Sequence, residues 1–152
     1  MSNFFASIIL TLFRKGITRR GARAFMAAYN SWNGTPMAVH PILTEVTRKE
    51  WGNNGIICTD WGALNLLVTA HKAFPTHAEG VAAVIKAGVG QILDTTYKPY
   101  IYEALEKKIL TEADIDKGQL LCCIKIRIVG CESIKITILT YWSYGYYSAM
   151  DE

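Results

Sequence analysis

The chain is poor in the features that would narrow its chemistry at once. Four cysteines in 152 residues make no disulfide framework. Cys58 lies inside an apolar stretch and reads as a small core residue. Cys122 and Cys123 are adjacent, and Cys131 follows after an irregular gap. No C-x-x-C pair occurs, and His40, His71 and His77 show no ligand spacing with the cysteines, so no metal site is expected. Excess charge is also small. The formal net charge of +3 is too little to argue for a nucleic-acid partner. Arg14, Lys15, Arg19, Arg20 and Arg23 cluster, but such a run reads first as a solvated helix end and loop. A membrane-length apolar run is missing too. "FFASIILTLF" is far short of the ~20 residues of a span. No positive charge precedes it and "RKGITRRGA" follows, the wrong order for a secretory signal. An amphipathic or buried helix is the expectation there, with no membrane partner.

What the chain does have is apolar mass and alternation of element types. Hydrophobic residues make up 51% of it, enough for one domain with a real core. Three short apolar stretches stand out: Arg23 to Ala28, Gly55 to Thr59 and Val89 to Leu93. Their continuous apolarity predicts strands buried on both faces, as in a parallel sheet. Helical patterns fall between them. Ile42 to Trp51 puts Ile42, Val46 and Trp51 roughly on one side. Ala78 to Ala87 spaces Val81, Val84 and Ile85 helically, with Gly88 as the stop. Tyr97 to Lys108 is helical, and Thr111 with Asp114 suggests a capped short helix. This β-α-β-α-β-α order belongs to an α/β fold with a parallel sheet.

Two strand-to-helix connections read as long loops, "YNSWNGTPMAVHP" and "DWGALNLLVTAHKAFPTH". In such folds ligands bind at the carboxyl ends of the strands, in these loops. Asp60 stands at such an end with Trp61 beside it. A carboxylate next to an indole suits sugar chemistry: an acid stabilises or traps an oxocarbenium-like centre, and an aromatic face packs on a pyranose. The bland alternatives are that Asp60 caps a helix beginning near Gly62 and that Trp61 is core.

The segments "FMAAYNSWNGTPM", "LTEVTRKEWGNNGIICTDWGAL", "AAVIKAGVGQILD" and "ALEKKILTEADID", in this order and spacing, resemble the barrel domain of glycoside hydrolase family 3, which includes β-glucosidases. The resemblance covers roughly residues 10 to 116. It implies a partial (β/α)8 TIM-barrel segment of about three parallel β/α units, the C-terminal part of the barrel. It implies a retaining, exo-acting β-glycosidase acting on β-glycoside substrates, with no metal or organic cofactor. Asp60 matches the nucleophile of the "S/T-D-W-G" motif, and Trp61 the aromatic that often lines the aglycone side. Tyr29 falls at the family's tyrosine, whose hydroxyl is expected to hydrogen-bond the nucleophile. His40 is a candidate substrate contact; Met26 and Trp32 are expected to be core packing.

The family pattern is incomplete here. The earlier Lys-His pair and Asp have no counterpart, and His71-Lys72, the reversed dipeptide in a loop, is set aside. The acid/base residue usually comes from outside this segment; Glu45 and Glu50 lie on a helix expected outside the barrel. Gly90 stands where many members carry an acid. Likeness fades after Asp116, so residues 1–116 are expected to be a barrel segment and 117–152 a divergent tail. Alternation in "IKIRI" and "IKITIL" around Gly130-Cys131-Glu132-Ser133 suggests a β-hairpin there. Such a piece is expected to be inactive alone and to self-associate through open sheet edges, with Phe25, Ile57 and Ile92 short of neighbours. The other readings are a non-catalytic carbohydrate-binding or assembly piece and a truncated, non-functional gene product.

Overall fold

A computed structural model describes residues 2–117, apart from Arg23 and Thr95; the side chains of residues 2–7 and of Ile9 are not described. The hairpin expected from alternation between residues 124 and 142 lies outside the described residues. The apolar N-terminal run forms helix α1 (Ser2–Arg20), with Arg19 and Arg20 in its last turn, where cations favour the dipole. Gly21, at φ +72, ends it in a conformation that glycine adopts without strain. Ile8, Leu12 and Phe13 on this helix are exposed. Among the described residues no helix is long and apolar enough to cross a membrane.

Two strands form as expected. β1 (Ala24–Ala27) pairs in parallel with β4 (Ile56–Thr59), Ala27 standing opposite Thr59. The third expected strand, Val89 to Leu93, is reduced to a single parallel bridge between Gln91 and Cys58. Its backbone is nonetheless tied to β4: Gly90 and Gln91 donate to the Ile57 carbonyl at 2.9 and 3.2 Å, and Thr59 donates to Gln91 at 3.0 Å. Gly90 explains the short ladder, because a glycine in a strand weakens it and stacks nothing on the pleat. The architecture is thus α/β, with few strands and many helices.

The long loop after β1 carries structure that the sequence reading did not foresee. β2 (Ser31–Trp32) and β3 (Thr35–Pro36) form an antiparallel hairpin. Asn33 and Gly34 both have positive φ, 50° and 82°, as a type I′ turn requires. The dipeptide Asn-Gly was the available signal. The helix expected from Ile42 to Trp51 is present in two parts, α2 (Ile42–Thr44) and a π-helical turn (Glu45–Glu50). The wider turn alters the buried face. Ile42, Leu43 and Thr47 are buried, and the Thr47 hydroxyl donates to the Leu43 carbonyl at 2.6 Å. Glu45 and Glu50 face solvent, Glu45 in an ion pair with Lys49.

The second long loop is a correction as well, since it contains helix α3 (Ala63–Thr69). Its buried residues Leu64 and Leu67 follow an i, i+3 spacing that was hidden by the uniformly apolar run. α4 (His77–Lys86) and α5 (Lys98–Glu106) stand close to their expected bounds. Gly88, at φ +83, terminates α4's segment. Residues 112–117 are helical, and Thr111 and Asp114 exchange the expected cap bonds.

Leu43, Ile57, Leu67, Val81, Val84 and Leu110 form the centre of the core. Ile57 and Ile92 are buried within the core cluster, contrary to the expectation that both would lack neighbours. Phe25 is partly buried. Met26, expected in the core, is 48% exposed and lines an open apolar cleft with Leu10, Phe13 and Ile17 of α1.

Candidate active site

The parallel register sets the site. Since Ala27 and Thr59 are opposite, the residues that follow, Tyr29 and Asp60, leave the sheet at the same carboxyl end of neighbouring strands. Gly62, at φ +71, then turns the chain from β4 into α3 within three residues of the strand end. Asp60 is half-buried, and its Oδ1 accepts from the Trp61 backbone N–H at 2.7 Å. That bond is to its immediate neighbour and not to the first turn of α3, which has no side-chain cap. The helix-cap reading of Asp60 therefore does not hold. Neither does the core reading of Trp61, whose side chain is 62% exposed.

Tyr29 crosses from β1 to this turn. Its hydroxyl donates to the Trp61 carbonyl at 2.6 Å. Partial burial, and then hydrogen bonding and charge from the Asp60 carboxylate, push the phenol above its usual value. One phenolic proton cannot fully serve two acceptors, and the short bond gives it to the carbonyl in this conformation. Tyr29 thus clamps the turn that carries Asp60 and stands beside the carboxylate at once.

His71 also belongs to this place, although it was set aside in the sequence. Its Nε2 lies 2.8 Å from the Tyr29 carbonyl oxygen and its Nδ1 3.0 Å from the Ser31 hydroxyl. The sequence signal was present only as a histidine near the end of an unrecognised helix. His40 is held differently. It stacks on Trp32, with ring centroids 5.3 Å apart, and its Nδ1 accepts from the Ile42 N–H at 3.1 Å. Burial lowers its pKa, with a bond to the Trp32 backbone working the other way. Trp32 is partly buried against the core, as expected. Asp94 follows the third strand segment, but its Oδ1 accepts from both the N–H and the hydroxyl of Thr96, which is the geometry of a turn.

Comparison with known proteins gives this arrangement its context. The chain is 32% identical over 118 residues to "Probable beta-D-xylosidase 7" of Arabidopsis thaliana, covering 76% of the chain and 15% of that protein. It is 35% identical over 98 residues to the periplasmic beta-glucosidase of Salmonella typhimurium, covering 63% of the chain and 13% of that protein. Among solved structures, a beta-glucosidase involved in saponin metabolism from intestinal bacteria superposes with a TM-score of 0.68 at 27% identity, over 76% of this chain and 16% of that one. The beta-glucosidase of Listeria innocua shares the fold, with a TM-score of 0.71 at 23% identity over 80% of this chain and 17% of that one. The chain therefore spans about one-seventh of the length of these relatives. Residues 2–120 match the family described as "Glycosyl hydrolase family 3 N terminal domain", and the chain belongs to glycosyl hydrolase family 3.

Proposed function

We propose that this chain is a segment of a retaining, exo-acting β-glycosidase of the β-glucosidase or β-xylosidase type, part of a (β/α)8 barrel, and that Asp60 is its nucleophile. One observation carries the reading: a half-buried carboxylate at the carboxyl end of a parallel strand, flanked by an exposed indole and a clamped phenol. An Asp60 oxygen attacks the anomeric carbon, the C–O bond to the aglycone breaks, and the leaving oxygen takes a proton from a second acid. Water then attacks the anomeric carbon, gives its proton to the conjugate base of that second acid, and releases Asp60 as the carboxylate. Trp61, in the open, offers its face to the sugar or aglycone. Tyr29 fixes the turn, so the carboxylate has one orientation. His40, held on Trp32 in the loop that follows Tyr29, is a candidate substrate contact. The second acid is expected from outside this segment, and the segment alone is expected to be inactive.

The test is incubation of the chain, and of the chain within its full-length relatives' context, with a 2-fluoroglycoside that traps the glycosyl-enzyme. Mass mapping should find the label on Asp60, and Asp60→Asn should take none. Label on another carboxyl group, or equal labelling of the Asn variant, would sink the nucleophile assignment. The exposed Trp61 also supports a second reading, sugar binding without turnover; it predicts saturable quenching of indole fluorescence by glucose or xylose together with no label in either setting.

A further inference from the structure

His71 is bound at both ring nitrogens to one loop, and the chemistry of its two partners fixes which nitrogen carries the proton in the neutral ring. The Tyr29 carbonyl can only accept, so Nε2 must carry the proton. In the neutral ring Nδ1 is then the acceptor, and the Ser31 hydroxyl donates to it. The ring itself hangs from a fixed point. The His71 backbone N–H donates to the Leu66 carbonyl at 2.8 Å, and the Ala73 N–H to the Leu67 carbonyl at 2.9 Å, so the end of α3 wraps tightly around its last turn. Lys72, at φ 51, turns the chain away immediately after.

These bonds connect the two halves of the site by a second route. Tyr29 reaches forward through its hydroxyl to Trp61, just before α3 begins. His71, just after α3 ends, reaches back to the Tyr29 carbonyl. The α3 segment is therefore fastened at both ends to the same residue of the β1–β2 loop. Tyr29 alone, with its side chain 43% exposed and at a bend outside any strand, would have its direction set by one hydrogen bond.

We infer that His71 is a positioning residue of this site: as the Nε2–H tautomer it ties the Tyr29 backbone and Ser31 to the end of α3, and so holds the Tyr29 phenol at the Trp61 carbonyl beside Asp60. The catalytic meaning of this arrangement rests on the reading of Asp60 as nucleophile; the arrangement itself does not. Removing the ring frees the loop, and Tyr29 then swings away from the carboxylate into solvent. A glutamine can place a donor near the position of Nε2 and keep the bond to the Tyr29 carbonyl.

Two measurements on the full chain test it, neither using turnover or labelling of Asp60. The first is a two-bond ¹⁵N–¹H spectrum of the wild-type histidines, in which neutral His71 should show the Nε2–H tautomer. An Nδ1–H tautomer would overturn the inference, and this readout needs no variant to fold. The second is a titration of ¹³Cζ-labelled tyrosine, with Tyr29 assigned by Tyr29→Phe among the eight tyrosines. In His71→Ala the Tyr29 phenol should fall toward its ordinary value of 10, and His71→Gln should restore the raised value. A wild-type titration in a folded His71→Ala chain, or a His71→Gln chain that behaves like His71→Ala, would refute it. If these readouts hold while the fluoroglycoside labels elsewhere, the positioning stands and the nucleophile reading falls; the reverse pattern separates the two the other way.

Discussion

The two ends of β4 are built on opposite principles. At its amino end, Arg48 reaches from the π-helical turn and donates to three backbone carbonyls: Asn53 at 3.3 Å, Gly55 at 3.1 Å and Gly88 at 3.0 Å. Buried Asn53 adds a bond from the Gly55 N–H to its Oδ1 at 2.8 Å. One planar cation thereby joins the entry to β4 with the entry to the next strand segment. At its carboxyl end, the polar groups of Asp60, Trp61 and Tyr29 are partly or largely open to solvent. The closed end spends its hydrogen bonds on holding backbone; the open end leaves acceptor capacity and aromatic surface for something else. In barrels of this kind the amino-end face serves stability and the carboxyl-end face chemistry.

Substitutions at the two ends should therefore separate. Within a complete barrel, Asp60→Asn should cost several orders of magnitude in the rate of glycosyl-enzyme formation, because an amide cannot form the intermediate. The same variant should stay within about 0.5 kcal/mol of wild-type stability, since it keeps an acceptor for the Trp61 N–H and its site is half open. Arg48→Ala should do the reverse. It strands three carbonyls that had a charged donor, which should cost about 2–4 kcal/mol, read as a lower urea midpoint. The Tyr29 phenol should titrate as in wild type. A stable Arg48→Ala chain, or an Asp60→Asn chain with a collapsed melting transition, would erase the contrast.

The closed end was legible in the sequence only as a pattern of elements. Gly88 could be read as a helix stop, and "RKEWG" as part of a family signature, but nothing in the spacing showed that Arg48 would cross to the Gly88 carbonyl, 40 positions away. The open end was legible for the opposite reason. Asp60 and Trp61 lie together in the chain at the end of a strand whose apolar run is unmistakable, so their neighbourhood is local. Tyr29 was singled out by the family resemblance, and the parallel register brings it to the same end as Asp60. His71 was missed because it follows a helix, and faces the start of a hairpin, that had both been read as loop. Helix α3 is apolar nearly throughout, so periodicity could not distinguish it, and the third strand was overestimated because its apolar side chains outweighed its glycine, Gly90. The hairpin was announced by Asn33-Gly34 and overlooked.

A smaller effect sharpens the picture of the closed end. Gly88 has φ +83, and a Cβ there would lie 2.9 Å from the Thr44 methyl carbon. Gly88→Ala should therefore be destabilising by about 1–2 kcal/mol from the left-handed backbone alone, with the contact adding to it. Combining it with Thr44→Ala should recover the contact part and leave the backbone part. Equal stabilities for the single and double variants would show that Thr44 moves aside freely. The turn would then be held by Arg48 and not by packing.

The smallest expected effect lies at the loop between the two ends, and its sign follows from His40. Burial lowers the pKa of this ring from its ordinary 6.5, against a weaker upward pull from a bond to the Trp32 backbone. The geometry agrees: Nδ1 accepts from the Ile42 N–H, which only an unprotonated Nδ1 can do, and the ring lies flat on Trp32 at an interplanar angle of 17°. For a histidine with a lowered folded pKa, the unfolded chain takes up the proton first as pH falls. Its contribution to stability is thus full above 6.5 and is lost as the pH drops below that value and through the folded one. His40→Phe keeps an aromatic ring against Trp32 and removes the titration of this one group. Urea unfolding at steps between about pH 7.5 and about pH 5 should show wild type losing more stability than the Phe variant, with the Ile42 amide resonance moving over the same range. A steeper loss in the Phe variant would mean that His40 gains a partner on protonation, and the loop that carries it would then tighten in acid.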